Sequence, residues 1–217
     1  MLIASAFASV MGRTGSINKV VILGPIHDKR EKGLFLSNSY SFHTPIGDIL
    51  IDQELTEELE FAGKHIEIND IPHLGEHSIE ILLPFVKYCF PSASIVPILM
   101  GCPSVQYIHD LAQALKTVIT PVMEETLIVV SSNFSSGVDN ITARRLADEC
   151  QRLFFEKDAP ALASGILTGK LNACGGALVV SLIESGLLDK TNCVTDNMIC
   201  AVGAENNTVY YSEVSFV

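Results

Sequence analysis

The sequence lacks any concentration of basic residues. Its 217 residues carry a formal net charge of −11, with 14 lysines and arginines against 25 aspartates and glutamates. The densest basic cluster is only Lys29, Arg30 and Lys32. Because proteins bind nucleic acids and anionic membranes through clustered lysine and arginine, we expect neither as a partner.

Several catalytic motifs are also missing. The chain has no phosphate-binding G-x-x-x-x-G-K-[ST] loop, no dinucleotide-binding G-x-G-x-x-G and no hydrolase G-x-S-x-G elbow. Its six cysteines include no C-x-x-C pair, which argues against a zinc ribbon and a thioredoxin-type site. Most of them stand in apolar or helical surroundings, so we expect buried free thiols and a reducing, cytoplasmic compartment.

Strand-like and helix-like stretches alternate along the chain, without repeats or a linker. This alternation, with 48% hydrophobic residues, predicts one α/β domain over residues 1–217. Residues 1–11 are apolar, but they lack the cationic start of a signal peptide and are too short to span a bilayer. We expect that segment to belong to the fold.

Two predicted strands end in residues with functional potential. Val20–Leu23 is an unbroken aliphatic run, typical of a strand covered on both faces, and Gly24-Pro25-Ile26-His27 follows it. Leu127–Val130 ends in the same manner, with Ser131-Ser132-Asn133. Open α/β sheets place ligands at the carboxyl ends of their strands. The edge where these two strands end is therefore the candidate site, and Asp28 could orient the imidazole of His27.

Two further segments carry candidate residues. Residues 75–89 have the character of a helix, kinked at Pro84, that would place His77 and Glu80 on one face. Such a pair can bind a metal, although acids at a helix start also need no further explanation. Cys174 lies in a glycine-flanked turn before a helix, where it could be a nucleophile, a soft ligand or a small buried residue.

Six short motifs follow one another along the chain. They are G-P-I-H at 24–27, T-P-I-G-D at 44–48, E-H-S-I-E-I-L-L-P at 76–84, P-I-L-M-G at 97–101, V-S-S-N-F-S at 130–135 and C-G at 174–175. Together they resemble the Memo-like family, also called AmmeMemoRadiSam system protein B. The family pattern is G-P-S-H, T-P-L-G-D, E-H-S-[IL]-E-x-x-L-P, P-[IV]-L-V-G, V-S-S-D-[FL]-S-H and C-G. The resemblance spans nearly the whole chain, and E-H-S-I-E is its most specific part.

The resemblance implies a fold and a site. The fold would be a mixed central β-sheet flanked by helices, similar to the class III extradiol dioxygenases. His27 and Cys174 would be two ligands of a three-residue metal site for iron or copper, with Ser132 and Asn133 as the cofactor-binding residues. The resemblance also places His77 in a catalytic or supporting role, together with Glu80.

The chain also departs from the family pattern. Asn133 stands where the family has aspartate, and Ser135 or Ser136 stands where it has histidine. Family members carry an upstream P-H-A-G-Y segment with a further metal ligand, which we expect to end before Met1 and so to be missing. A non-haem iron site generally needs three protein ligands, and asparagine cannot supply a negative charge or act as a general base.

These observations support three functional hypotheses. The leading one is a Memo-like protein with a degenerate metal pocket, which acts as a ligand- or partner-binding scaffold with impaired or lost redox catalysis. The alternative is a metal-dependent oxidoreductase or dioxygenase that uses iron or copper at His27 and Cys174. The third is a hydrolase or transferase that depends on the Cys174 thiol.

Overall fold

A computed structural model describes residues 2–28, 30–191, 193–202 and 208–216. The strands are β1 (Lys19–Pro25), β2 (Leu34–Leu36), β3 (Ser41–Phe42), β4 (Ile49–Leu50), β5 (Ile66–Ile68), β6 (Ser94–Met100), β7 (Thr126–Val130), β8 (Ser135–Val138), β9 (Cys193–Val202) and β10 (Thr208–Phe216). The α-helices are α1 (Leu2–Val10), α2 (Gln53–Ala62), α3 (Ile71–Gly75), α4 (Leu83–Cys89), α5 (Val105–Ile119), α6 (Asn140–Phe155), α7 (Ala159–Leu167) and α8 (Gly176–Glu184). Short 3₁₀ helices cover Met11–Arg13, Glu80–Leu82 and Thr120–Glu125.

The central sheet has five strands in the order β5-β2-β6-β1-β7. β1 is parallel to both β6 and β7, whereas β2 is antiparallel to β6 and parallel to β5. The sheet is therefore mixed, and helices flank it. This confirms the predicted fold class. β8, β10 and β9 form a separate antiparallel sheet, and β3 pairs with β4.

The aliphatic run of β1 divides between two cores. Val21 and Leu23 pack on the face covered by α2, α5 and α8, while Val20 and Ile22 pack on the face covered by α1 and α4. All four side chains are fully buried. Successive side chains of a strand point to opposite faces, so an unbroken aliphatic run indicates burial on both.

Four of the described α-helices, α2, α5, α6 and α7, begin at a side chain that caps them. Ser104 accepts a hydrogen bond from the backbone N–H of Tyr107, as the sequence predicted, and Asp52 accepts one from Leu55. The predicted tail strands are confirmed over 198–202 and 208–216, while the turn expected at 205–207 lies outside the described residues. No helix in the described part of the chain is long and apolar enough to cross a membrane.

The helix predicted over 75–89 is wrong at its start. Residues 76–77 are irregular, residues 78–79 form a turn, Glu80–Leu82 is a 3₁₀ helix and α4 begins only at Leu83. The carboxylate of Glu76 accepts hydrogen bonds from the backbone N–H groups of His77 and Ser78, which competes with helix formation. Pro84 lies in the first turn of α4, where its missing N–H costs nothing, so it starts a helix rather than kinking one.

Candidate functional site

The ends of β1 and β7 meet as the sequence predicted. Leu23 lies opposite Val130, and the N–H of Ser131 donates to the carbonyl oxygen of Leu23 at 2.8 Å. On the other side, the N–H of Ile26 donates to Met100 of β6 at 2.8 Å. The segments that carry His27 and Asn133 therefore leave the sheet at one carboxyl edge.

Cys174 is fixed to the end of β7 by two hydrogen bonds with Asn133. The N–H of Asn133 donates to the sulfur at 3.2 Å, and the N–H of Cys174 donates to Asn133 Oδ1 at 2.9 Å. The next N–H, of Gly175, donates to the hydroxyl oxygen of Ser132 at 2.9 Å. The structure thus brings Ser132, Asn133 and Cys174 into one hydrogen-bonded group, which the sequence suggested only through the family pattern.

Gly175 permits this close approach. A Cβ atom built on it would lie 2.2 Å from the carbonyl oxygen of Ser131 and 2.8 Å from the Cβ of Ser132. No side chain fits there without moving the backbone. Glycine is therefore required where the loop before α8 crosses the end of β7.

His27 is held by a buried carboxylate that the sequence analysis did not assign. Its Nδ1 lies 3.0 Å from Oε1 and 3.1 Å from Oε2 of Glu76, and its backbone N–H donates to Oε2 at 2.7 Å. The Glu76 side chain is only 4% exposed, whereas that of His27 is 48% exposed. Burial alone would raise the pKa of Glu76, but the hydrogen bonds from His27 and Ser78 outweigh burial and lower it. Glu76 is therefore a stabilised anion.

His77 shares the same carboxylate. Its Nδ1 lies 3.5 Å from Oε1 of Glu76, and its ring stacks on that of His27 with centroids 5.0 Å apart and planes 12° apart. Its side chain is 67% exposed. The turn that carries both residues is attached to β1 because the buried hydroxyl of Ser78 donates to the carbonyl oxygen of Pro25 at 2.9 Å.

Two acids that the sequence analysis named are not part of this group. Asp28 accepts hydrogen bonds from the guanidinium of Arg30, which lower the pKa of its carboxyl to about 2, and it does not orient His27. Glu80 is exposed at the start of its 3₁₀ helix. Among the described residues, no hydrogen bond joins it to His27, His77 or Cys174.

The donor groups fit a three-ligand metal site only in part. Nδ1 of His27 contacts the carboxylate of Glu76. A histidine that binds a metal through Nε2 usually has its Nδ1 on such a carboxylate, so His27 fits the role of a ligand. Across the described ranges, one group of three donors lies within 4.8 Å, namely His27, Glu76 and His77, and Cys174 belongs to no such group. The oxygens of Glu76 already accept N–H groups from His27, His77 and Ser78. A third ligand that would join His27 and Cys174 is missing from the described residues.

An apolar cavity of about 220 Å³ runs along β7, the last strand of the sheet. It is lined by Ala6, Phe7 and Val10 of α1, by Arg13, and by residues of β7, α6, α8, β10 and the segments next to them. Ser132 lines it too. Because Ser132 bonds to the Cys174 loop, the cavity reaches the candidate site.

Comparison with known proteins assigns the class. A family model described as Memo-like protein matches residues 2–180, which include every motif from G-P-I-H to C-G. The chain belongs to the Memo-like family, and the resemblance inferred from its motifs is confirmed. The metal site and the similarity to extradiol dioxygenases stay predictions.

Individual relatives agree with this membership. A MEMO1 family protein of Methanothermobacter thermautotrophicus is 26% identical over 179 residues, which cover 80% of this chain and 63% of the relative. A MEMO1 family protein of Pyrobaculum aerophilum is 23% identical over 218 residues, which cover 99% of this chain and 78% of the relative. The chain thus spans less than two thirds of the first relative. A crystal structure of an uncharacterized Escherichia coli K12 protein aligns with a TM-score of 0.44 at 11% identity, covering 94% of this chain and 91% of that one, too distant to indicate function.

Proposed function

We propose that this protein is a binding scaffold that takes a small apolar molecule in the cavity beside β7, with the polar end of that molecule at Ser132. The observation that carries the proposal is the continuity between the cavity and the hydrogen-bonded group around Cys174. An apolar protein cavity of about 150 Å³ is enough to bind benzene. A cavity of about 220 Å³ therefore has room for a somewhat larger molecule.

The chemistry at the end of β7 favours binding over redox catalysis. Asn133 has no charge, and its amide oxygen is occupied by the N–H of Cys174. It therefore cannot serve as the general base that an aspartate or histidine would provide. Among the described residues, no third ligand lies with His27 and Cys174, whereas non-haem iron sites use three. We infer that the pocket is retained while its metal chemistry is impaired or lost.

Filling the cavity tests the proposal. Ala6 lines the cavity, whereas Ala8 is exposed on the same helix, so Ala6→Leu and Ala8→Leu add the same atoms in different places. With 2-naphthol as the probe, followed by fluorescence titration, we expect saturable binding to the wild type and to Ala8→Leu. We expect at least tenfold weaker binding to Ala6→Leu. Equal affinity in all three proteins, or no saturable binding to the wild type, would contradict the proposal.

A metal-dependent oxidoreductase is the second candidate, with iron or copper at His27 and Cys174. The orientation of His27 favours it, because Glu76 engages Nδ1 rather than Nε2, the nitrogen that would then bind the metal. Retention of stoichiometric iron or copper, with dioxygen consumed in the presence of a catechol, would support this candidate over the scaffold.

We also propose a reducing, cytoplasmic location. All the cysteines whose side chains are described are free thiols: Cys89, Cys102, Cys150, Cys174 and Cys200. Free thiols persist where glutathione and thioredoxin keep them reduced. Cell fractionation would test this location, and recovery from an oxidising compartment with intramolecular disulfides would contradict it.

A further inference from the structure

The carboxylate of Glu76 is surrounded by N–H donors. Oε1 accepts the backbone N–H groups of His77 and Ser78, both at 2.8 Å, and Oε2 accepts the backbone N–H of His27 at 2.7 Å. Three backbone donors on a side chain that is 4% exposed stabilise the ionised form. An ionised carboxylate can only accept hydrogen bonds.

This fixes where the proton of the His27 ring must lie. Nδ1 is 3.0 Å from Oε1 and 3.1 Å from Oε2, both acceptors, so Nδ1 carries the hydrogen. In the neutral ring Nε2 is then the unprotonated atom, on the side away from Glu76. The side chain of His27 is about half exposed, and none of the hydrogen bonds found among the described residues engages Nε2.

His77 lies beside the same carboxylate. Its Nδ1 is 3.5 Å from Oε1, a longer contact with the same acceptor, and its ring is nearly parallel to that of His27. Two imidazoles therefore share one buried anion. The backbone bonds to Glu76 come from the end of β1 and from the turn at residues 76–78, so the anion also joins these two segments.

We propose that Glu76 is the positioning residue of this edge of the sheet, which holds His27 as the Nδ1–H tautomer and presents its Nε2 lone pair outward, with His77 stacked beside it. Glu76 acts here as an orienting acceptor, and its oxygens are too fully engaged with N–H groups to be the principal ligand of a cation. The role does not depend on the cavity beside β7, so it holds whether or not 2-naphthol binds there.

Imidazole ¹⁵N NMR, recorded at a pH where the spectrum no longer changes on addition of base, tests the tautomer directly. Signals are assigned with His27→Ala and His77→Ala. We expect the wild-type His27 ring to be predominantly Nδ1–H. In Glu76→Gln the side chain keeps its size but gains an NH₂ donor, and we expect Nδ1–H to be lost as the dominant form.

Two controls separate orientation from general damage. Glu80→Gln makes the same change at an exposed acid of the same motif and should leave the His27 tautomer unchanged. His65 is an internal reference, because its Nδ1 lies 2.5 Å from Asp110, and its signal should be the same in every variant. If Glu76→Gln does not fold, Glu76→Asp keeps the charge and should retain the Nδ1–H form of His27.

The proposal is overturned if the wild-type His27 ring is predominantly Nε2–H. It is also overturned if Glu76→Gln folds and leaves the tautomer unchanged, or if Glu76→Asp folds and lacks the Nδ1–H form. A purely structural role for Glu76 would lower stability without moving the proton between the two ring nitrogens.

Discussion

Replacing Gly175 with alanine tests how closely the Cys174 loop must pack on β7. The new methyl carbon would lie 2.2 Å from the carbonyl oxygen of Ser131, a distance that real Cβ atoms essentially never show. Since contacts of 3.0–3.4 Å are already tighter than nine in ten real Cβ contacts, the loop and the strand must separate by roughly 1 Å. The opposing oxygen belongs to the backbone of Ser131, whose N–H is hydrogen-bonded to Leu23 of β1. Moving it would disturb the pairing of β7 with β1.

Overpacking of this kind costs about 1–3 kcal/mol, and the backbone contact places Gly175→Ala near the upper end. For a domain of this size each kcal/mol corresponds to about 2–4 °C, so the melting temperature should fall by roughly 6–12 °C. Separation would also weaken the contact between the Asn133 N–H and the Cys174 sulfur. We therefore expect faster alkylation of Cys174 by iodoacetamide in the native state.

Gly12→Ala is the matched control, because a methyl group built there has nothing within 4 Å. Its free energy of unfolding should stay within about 0.5 kcal/mol of the wild type. Urea denaturation measures both variants. If Gly175→Ala is as stable as Gly12→Ala and its Cys174 is alkylated at the wild-type rate, the close packing described for this loop is wrong.

Three further predictions concern single side chains. Burial raises the pKa of the Cys150 thiol to about 12, so native-state alkylation at pH 8 followed by mass spectrometry should modify exposed Cys102 while Cys150 reacts only after unfolding. The pKa of Glu76 is lowered below its ordinary value of 4.5, so the unfolded chain binds more protons. The stability from this group should be complete above pH 4.5 and fall as acid is added, and Glu76→Gln should flatten that dependence in denaturation at pH 3–6. Asp28→Asn breaks only an exposed pair with Arg30, so its thermal melting should match the wild type, and a large loss would contradict the surface role of that pair.

The sequence predicted those parts of the fold that local patterns decide. The aliphatic run at Val20–Leu23 indicated a strand buried on both faces, and Ser104 marked the start of α5. The carboxyl edge was predictable as well, because strand ends in a largely parallel sheet meet at one side. Cys174 could be placed before a helix, but its bonds to Asn133 were suggested only by the family pattern.

The parts that the sequence did not predict depend on contacts between distant residues. Glu76 lies 49 positions after His27, so nothing local indicates that its carboxylate would cap the end of β1. The hydrogen bonds that Glu76 accepts from His77 and Ser78 also compete with the continuous helix that was expected over 75–89. Asp28, adjacent to His27 in sequence, was the more obvious orienting acid, yet it turns to Arg30 instead. The sequence did carry one indication of this role. Glu76 directly precedes His77 and Ser78, and its side chain can reach the backbone N–H groups of both residues.

Metal content is the measurement that tests the central proposal most directly. The protein is purified without chelators, loaded with iron(II) or copper(II) under controlled oxygen, desalted and analysed for metal, alongside His27→Ala and Cys174→Ala. Because the described residues give His27 and Cys174 no third ligand, we expect substoichiometric metal that neither substitution changes, and no dioxygen uptake with catechol. One metal ion per chain, lost in both variants, would contradict the scaffold and establish the oxidoreductase site.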